Sequence, residues 1–571
     1  MATITKRVNK SGTYYYLVES ARVNGKPRLV RQIYLGTAER ISKAVEQLSS
    51  GAKFTAPELV TVFEFGAVMA IYSVAERLGI CRIIDEIVGK RNQGLPVSAS
   101  ILLATINRAV APTSKKAFAS WFGKTVLYKI FPAANTKNLS SQGFWNNMSA
   151  IDEDNIRRME DEITKRVVER YSIELDCLLF DNTNFLTYID TSNPSTLAKR
   201  GHSKEKRRDL KIVGLSLMVS RDHNIPLFHE VYPGNVHDAQ QFSGIIDKLK
   251  DRYRNLGKGD CTVTLVFDKG NNNEDNAQKL LEVEPCPFHF IGGLRLEQCP
   301  ELLGVPKADY AALEGDPHGA TAYRAMKEVY GREFTAVVTY SPELFRAQMG
   351  GILANIASCE KALAALNERL RLRREGIITK GKKPTVESVE KAILSILSAE
   401  HMREVFGYAV AGGDGGTPHM AYSFKENGLA DLQEWSLGKT VLFTDRSDWT
   451  NEQIVNAYRS QFHVEEAFRQ MKDTKYLSLR PIRHFTDGQI RVHAFYCVLA
   501  FMLSCLMNKE LELMGYKMSI HCMFDKFQEA QQVVSVYASQ NNRSSINISY
   551  SRLEGVVKEY AEKYGLLKYF N

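Results

Sequence analysis

Two short apolar runs constrain this chain more than anything else in it: Cys177-Leu-Leu-Phe-Asp181 and Cys261-Thr-Val-Thr-Leu-Val-Phe-Asp268. Each is the length of a strand, carries little polarity before its end, and closes on Phe-Asp. Two strands that finish on aspartate give a rigid sheet two carboxylates at one edge, where hard cations take oxygen ligands. An aspartate after a strand is also an ordinary first turn residue, so the repeat leaves both readings open.

The flanking pattern enlarges the sheet. Runs at 210–219 and 227–232 read as strands, 238–253 as a helix, and 288–292 as a fifth strand after the second Phe-Asp run. Three strands, a helix and a fourth strand are the order in which an RNase H-like sheet is built. About 150 residues then interrupt it, before a strand at 439–444 and a long helix from Asn451 to Asp473. Within the interruption Ile352, Ile356, Cys359, Leu363, Leu366 and Leu370 step by 4, 3, 4, 3 and 4, a heptad seam. Val386, Val389, Ile393 and Ile396 supply a returning helix, and the connecting tip at 371–385 is basic. This predicts a helical hairpin on an inserted domain.

Charge is concentrated at the N-terminus. Residues 1–50 hold nine Lys/Arg against three Glu, a net +6 of the chain's +9. Such a field suits a polyanion, and a solvated face is the alternative. The stretches 14–22 and 28–35 read as a hairpin around Asn24-Gly25, with Pro27 at an edge and Arg28 and Arg31 on the ribbon. From 60 to 170 the spacing is helical; a small DNA-binding domain fits, with Arg108 and Lys115 among its cations, and a helical packing domain would read almost the same. The expected organisation is α/β: a DNA-binding basic β-hairpin at 1–50, a helical DNA-binding domain at 55–170, and an RNase H-like catalytic domain at 172–293 and 438–510. An insertion at 294–437 interrupts that domain, and a helical C-terminal region follows at 511–571.

Composition narrows the class. At 571 residues the chain needs several cores, and 44% hydrophobic with 24% charged residues is ordinary for a globular protein. The longest apolar stretch, at 494–507, falls short of the roughly 18–20 residues a span needs, so no membrane partner is expected. The first residues lack an apolar signal core. Nine cysteines without a C-x-x-C pair suggest free thiols in a reducing compartment. Cys286, His289 and Cys299 are the nearest approach to a zinc pattern and read as plain thiols and a histidine.

A third acid comes from the late helix. Tyr458, Gln461, Glu465, Phe468 and Lys472 are spaced 3, 4, 3 and 4 and share one stripe, beside an apolar row of Val464, Ala467 and Met471. The run from Tyr458 to Lys472 resembles the Y-x2-R-x3-E-x6-K motif of a branch of bacterial insertion-sequence DDE transposases. Tyr458, Glu465 and Lys472 match it in register, and Gln461 stands where that motif has arginine. Tyr232-Pro-Gly-Asn-Val-His-Asp238 is similar to a Pro-Gly-Asn segment of the same enzymes. The loop containing Lys199, Arg200, Lys204, Arg207 and Arg208 is similar to their basic glycine-containing loop. The resemblance implies Asp181, Asp268 and Glu465 as catalytic metal ligands for two Mg²⁺ or Mn²⁺ ions. It also implies DNA contact by Tyr458, Gln461, Lys472 and the basic loop, inverted-repeat ends and target DNA as partners, a homodimer on paired ends, and a cytoplasmic, nucleoid-associated prokaryotic setting. A metal-dependent nuclease of the same fold, or a domesticated DNA-binding regulator without catalysis, are the alternatives.

Overall fold

The computed structural model describes residues 2–9, 12–23, 26–49, 57–89, 94–255, 263–282, 288–413, 416–537 and 545–570. The chain forms two compact units: residues 1–65 with 529–553, and residues 66–528 with 554–571.

In the smaller unit, Gly12–Val23 and Lys26–Gly36 form the expected antiparallel ribbon, and Ala2–Asn9 adds a third strand. The turn pair Asn24-Gly25 lies outside the described residues, as do the side chains of Arg28 and Arg31. A second sheet joins Leu59–Glu64 to Gln531–Tyr537 and Ser545–Ser551. The expectation of a helical C-terminal region is therefore corrected: Gln-Gln-Val-Val-Ser-Val-Tyr is β-branched and pairs with a distant strand, which local spacing does not reveal.

The larger unit is built on a nine-stranded mixed sheet. Its strands are β1 (Cys177–Leu186), β2 (Ile212–Ser220), β3 (Pro226–Pro233), β4 (Thr264–Phe267) and β5 (His289–Leu294). β6 (Ala311–Ala312), β7 (Thr321–Val329), β8 (Arg332–Tyr340) and β9 (Lys439–Thr444) complete it. They lie in the order β6-β7-β8-β9-β5-β4-β1-β2-β3. Only β1 with β4, and β4 with β5, are parallel. β1 and β2 are buried along almost their whole length, as expected of strands covered on both faces.

The region expected as a separate insertion contributes β6, β7 and β8 to this same sheet, because β8 pairs directly with β9. Its remainder holds the anticipated hairpin beside a two-stranded sheet, Phe406–Ala411 with His419–Phe424, and the helix Glu426–Trp435. Pro342–Arg374 and Val386–Ile396 are helices, and Ile352, Cys359, Leu363, Leu366, Leu370, Val389 and Ile393 form its core. The apolar stretch near 500 belongs to a 26-residue helix, Asp487–Glu512, long and apolar enough to cross a membrane, with 94% of its apolar window buried inside the protein. It packs on Val97–Val110, a helix buried at all of its positions.

Candidate active site

The parallel register brings the two Phe-Asp runs together. Phe180 on β1 faces Phe267 on β4, and Phe267 faces Gly292 on β5. One residue further along, Asp181, Asp268 and Gly293 therefore form a row across three adjacent strands. Asp181 is not the end of its strand, as its sequence suggested, since β1 continues to Leu186. Asp268 does close β4, and its carboxylate accepts the Lys269 N–H at 2.7 Å, starting a short 3-10 turn.

Amide side chains absent from the sequence expectations hold this corner. Buried Asn182 accepts from Ser216 Oγ at 2.6 Å and donates to Asn271 Oδ1 at 3.1 Å. Asn276 donates to the Asn271 carbonyl at 2.7 Å and to that of Ala239 at 3.1 Å. The loop after Asp268 is thus tied to the strand of Asp181 and to the helix Asp238–Asn255. The usable signal was Phe-Asp followed closely by Asn in both runs.

The acids differ in surroundings. Burial pushes the Asp181 carboxyl up to about 7, and nearby Asp268 and Asp238 add to the rise, while Lys204 opposes it. Tyr458 hydrogen-bonds Asp268, and burial raises its phenol well above the usual range. Its ring lies over Gly293, where an added Cβ would come within 2.6 Å of the hydroxyl. Only glycine leaves room for that approach.

The expected long helix is two. Asn451–Arg459 starts on a Thr450–Gln453 capping box and ends where the Ser460 hydroxyl donates to the Ala457 carbonyl at 2.6 Å. The Gln461 N–H then turns to Tyr458 instead, and the chain restarts as Phe462–Met471. The single stripe from Tyr458 to Lys472 is corrected accordingly. Val464, Ala467 and Met471 are each 0% exposed, so this row docks the second helix as anticipated. Glu465 is exposed and forms no ion pair among the described residues, whereas Glu466 is held by Arg469 and by Gln470 at 2.9 Å. Gln461 is buried at 7% exposure.

Lys472 reaches back to β1, donating to Thr183 Oγ1 at 2.8 Å and lying over the Phe185 ring. Thr183 shares a strand face with Asp181, two residues away. Desolvation, with Lys204 and Arg480 nearby, lowers the Lys472 ammonium to about 8.

In the basic loop, Arg200, Lys204, Arg207 and Arg208 are exposed and Lys199 is half-buried. Arg207 is engaged by Asp209 at 2.7 and 2.6 Å, and Lys204 donates to the Asn182 carbonyl at 2.6 Å. The loop meets the Tyr-Pro-Gly-Asn segment: a Cβ on Gly201 would lie 2.1 Å from the Gly234 carbonyl. Two motifs separated in sequence thus touch through their glycines. Arg108 and Lys115 have protein partners. Arg108, 7% exposed, donates to the carbonyls of Ser478 and Thr113 at 3.2 Å each, and Lys115 donates to the Tyr496 hydroxyl at 3.2 Å and contacts His484 at 3.1 Å. Both cations are held by partners within the protein.

The donor chemistry suits a hard cation. Asp181 and Asp268 are neighbouring carboxylates with no ion pair among the described residues. Glu465 lies near enough to Tyr458 to add to the rise of its phenol. Among the described residues, no group of three or more His, Cys, Asp or Glu side chains is close enough to hold a metal ion. The pair fits such a cation, with Glu465 standing outside it.

No family model matches the chain, and no curated protein matches it. Among solved structures, the piggyBac transposase synaptic complex with hairpin DNA aligns at 10% identity and a TM-score of 0.37, covering 83% of this chain and 82% of that one. The Mos1 transposase paired-end complex with left transposon end aligns at 15% identity and a TM-score of 0.14, covering 35% of this chain and 60% of that one. Superpositions this loose establish no equivalence of residues.

Proposed function

We propose that this chain is a DDE transposase of the bacterial insertion-sequence branch with the Y-x2-R-x3-E-x6-K motif, built on an RNase H-like catalytic domain. The observation that carries the reading is that one segment straddles the aspartate pair. Tyr458 bonds Asp268, and Lys472 bonds the strand of Asp181, two residues further on. The strand order β3-β2-β1-β4-β5, with β2 antiparallel to its neighbours, supports the same reading.

Asp181 and Asp268 would hold Mg²⁺ or Mn²⁺, and the motif register names Glu465, which stands outside the pair, as the third ligand. When bound, two such ions supply activation of water or a 3′-hydroxyl and stabilise the leaving oxygen in an in-line displacement on phosphorus. The protein contributes placement. Tyr458 orients Asp268, and the asparagine network fixes both aspartates. Lys472 and the exposed cations Arg200, Lys204 and Arg208 would contact the phosphates of the cut strand. The partners are the element's inverted-repeat ends and target DNA, with a homodimer pairing two ends in the cytoplasm of a prokaryote.

A supercoiled plasmid carrying the DNA that flanks this coding region, incubated with the protein and Mg²⁺, tests the proposal. Cleavage at the ends followed by joining is expected, and Asp181→Ala or Asp268→Ala should fall to the uncatalysed background while still binding DNA. Cleavage without joining would indicate a nuclease, and binding without cleavage a regulator.

A further inference from the structure

We propose that the tip of the helical hairpin, residues 369–385, is a second contact for the DNA backbone, remote from the phosphate that is cut. It rests on the DNA-cutting reading above, which places duplex beside Asp268.

The tip carries seven Lys/Arg and one acid, Glu375. That acid is already engaged: Arg371 pairs with Glu375 at 2.6 Å and with Glu368 at 2.7 Å. Arg373 donates to the Lys380 carbonyl at 2.8 Å and Arg374 to that of Pro418 at 2.9 Å. Arg369, Lys380, Lys382 and Lys383 form no ion pair among the described residues, and all four are exposed. The tip sets one acid against seven bases, fewer than a solvated, salt-bridge-laced surface carries.

The cations are also held in place. Leu363, Leu366 and Leu370 pack with Val389 and Ile393 in one core that runs up to the tip. The first helix ends with Gly376 at φ +73° and the Ile377 N–H bonded to the Leu372 carbonyl at 2.9 Å. Thr385 caps the return helix through a reciprocal bond with Ser388. A fixed array loses less entropy on binding than a floppy loop. Beneath it lies a 260 Å³ groove with Leu366, Leu370 and Pro384 on its walls and Arg369, Arg373 and Lys382 at its rim.

The root of the same helix decides in favour of DNA over an acidic protein. Leu344 and Gln348 line a 770 Å³ cavity together with Asp268, Gly293 and Tyr458. At 1.5 Å per residue the tip stands roughly 30–40 Å along the helix axis from that cavity. Duplex rises about 3.4 Å per base pair, so the span is about one helical turn. A duplex seated at the aspartates has phosphates within that reach.

The test compares the full chain with a variant carrying Arg369→Ala, Lys380→Ala, Lys382→Ala and Lys383→Ala, matched for melting temperature. The probe is a 30-base-pair random-sequence duplex, and the readout is the slope of log affinity against log salt. Each phosphate contact contributes about 0.9, so the variant should lose up to about 3.6 in slope. An unchanged slope overturns the inference even if the wild type cleaves DNA. A slope lost at the tip, in a protein that never nicks plasmid, keeps the tip contact and removes the transposase reading. A wild-type chain that binds no duplex removes both.

Discussion

Two acidic clusters, one half-buried and one buried, border the same sheet and have opposite fates. Around Asp181 and Asp268 the carboxylates have no ion-pair partner among the described residues, and burial lifts Asp181 to about 7. At the far edge of the sheet, beside β3, Glu160 is 6% exposed and fully partnered. It takes the His229 N–H at 3.0 Å, the His229 ring at 2.5 Å and the Arg252 guanidinium at 2.7 Å, and these neighbours hold its carboxyl below the usual range. Arg252 also pairs with Asp161. A 370 Å³ cavity adjoins this second cluster, yet its other charges are matched as well, Lys248 by Glu230 and Arg491 by Glu153. An acid whose charge is already satisfied locks helices to a strand. An acid left unsatisfied at a strand edge is available to a cation.

The largest effect that would break this contrast is on stability. Glu160→Ala leaves His229 and Arg252 buried without their main anion, and such a loss typically costs about 3–5 kcal/mol. Urea melts should register it, while the plasmid-nicking activity per folded molecule stays near wild type. A melt within 1 kcal/mol of wild type (roughly the surface-site range) would mean that the cluster is not structural.

The sequence disclosed this contrast unevenly. The strands of the aspartate pair and the Val464–Ala467–Met471 docking row were legible because period-2 and period-3.6 patterns are local. The heptad seam of the hairpin was legible for the same reason. The break at Ser460 was not, since it depends on one hydroxyl choosing a carbonyl, which spacing does not encode. Arg108 and Lys115 looked like DNA contacts because composition cannot tell an outward cation from one braced on interior acceptors. The three added strands β6, β7 and β8 were not legible, because β8 joins the sheet only by pairing with β9, far along the chain. Glu160, His229 and Arg252 lie far apart in sequence and left no pattern at all.

A smaller effect sharpens the same comparison from the cation side. Lys472 is close to Asp181 but donates to Thr183, so it leaves the carboxylate free. Lys472→Met keeps most of the side-chain length and the contact with Phe185 while removing the ammonium. Cleavage should fall about 10- to 100-fold, or roughly 1.4–2.7 kcal/mol of barrier. Affinity for random-sequence duplex should change little, because one contact among many is lost. Equal losses in cleavage and in non-specific binding would reduce Lys472 to an ordinary phosphate contact.

The smallest effect has a sign opposite to that of Glu160→Ala. Burial pushes the Asp181 carboxyl up to about 7 in the folded protein, above the ordinary carboxylate value of about 4. Between those values the folded state binds the proton more tightly than the unfolded state, so stability falls as pH rises through this window. The cost is fully present above about pH 7 and absent below about pH 4. Asp181→Asn removes the titration, and its stability relative to wild type should therefore grow as pH rises from about 4 to about 7. Mg²⁺ should stabilise the wild type and leave the variant unmoved, because a ligand stabilises only the state that binds it. Urea melts at pH 4, 6 and 8, each with and without Mg²⁺, measure both. A gain independent of pH would assign the effect to packing, and an equal response to Mg²⁺ in both proteins would place the cation elsewhere.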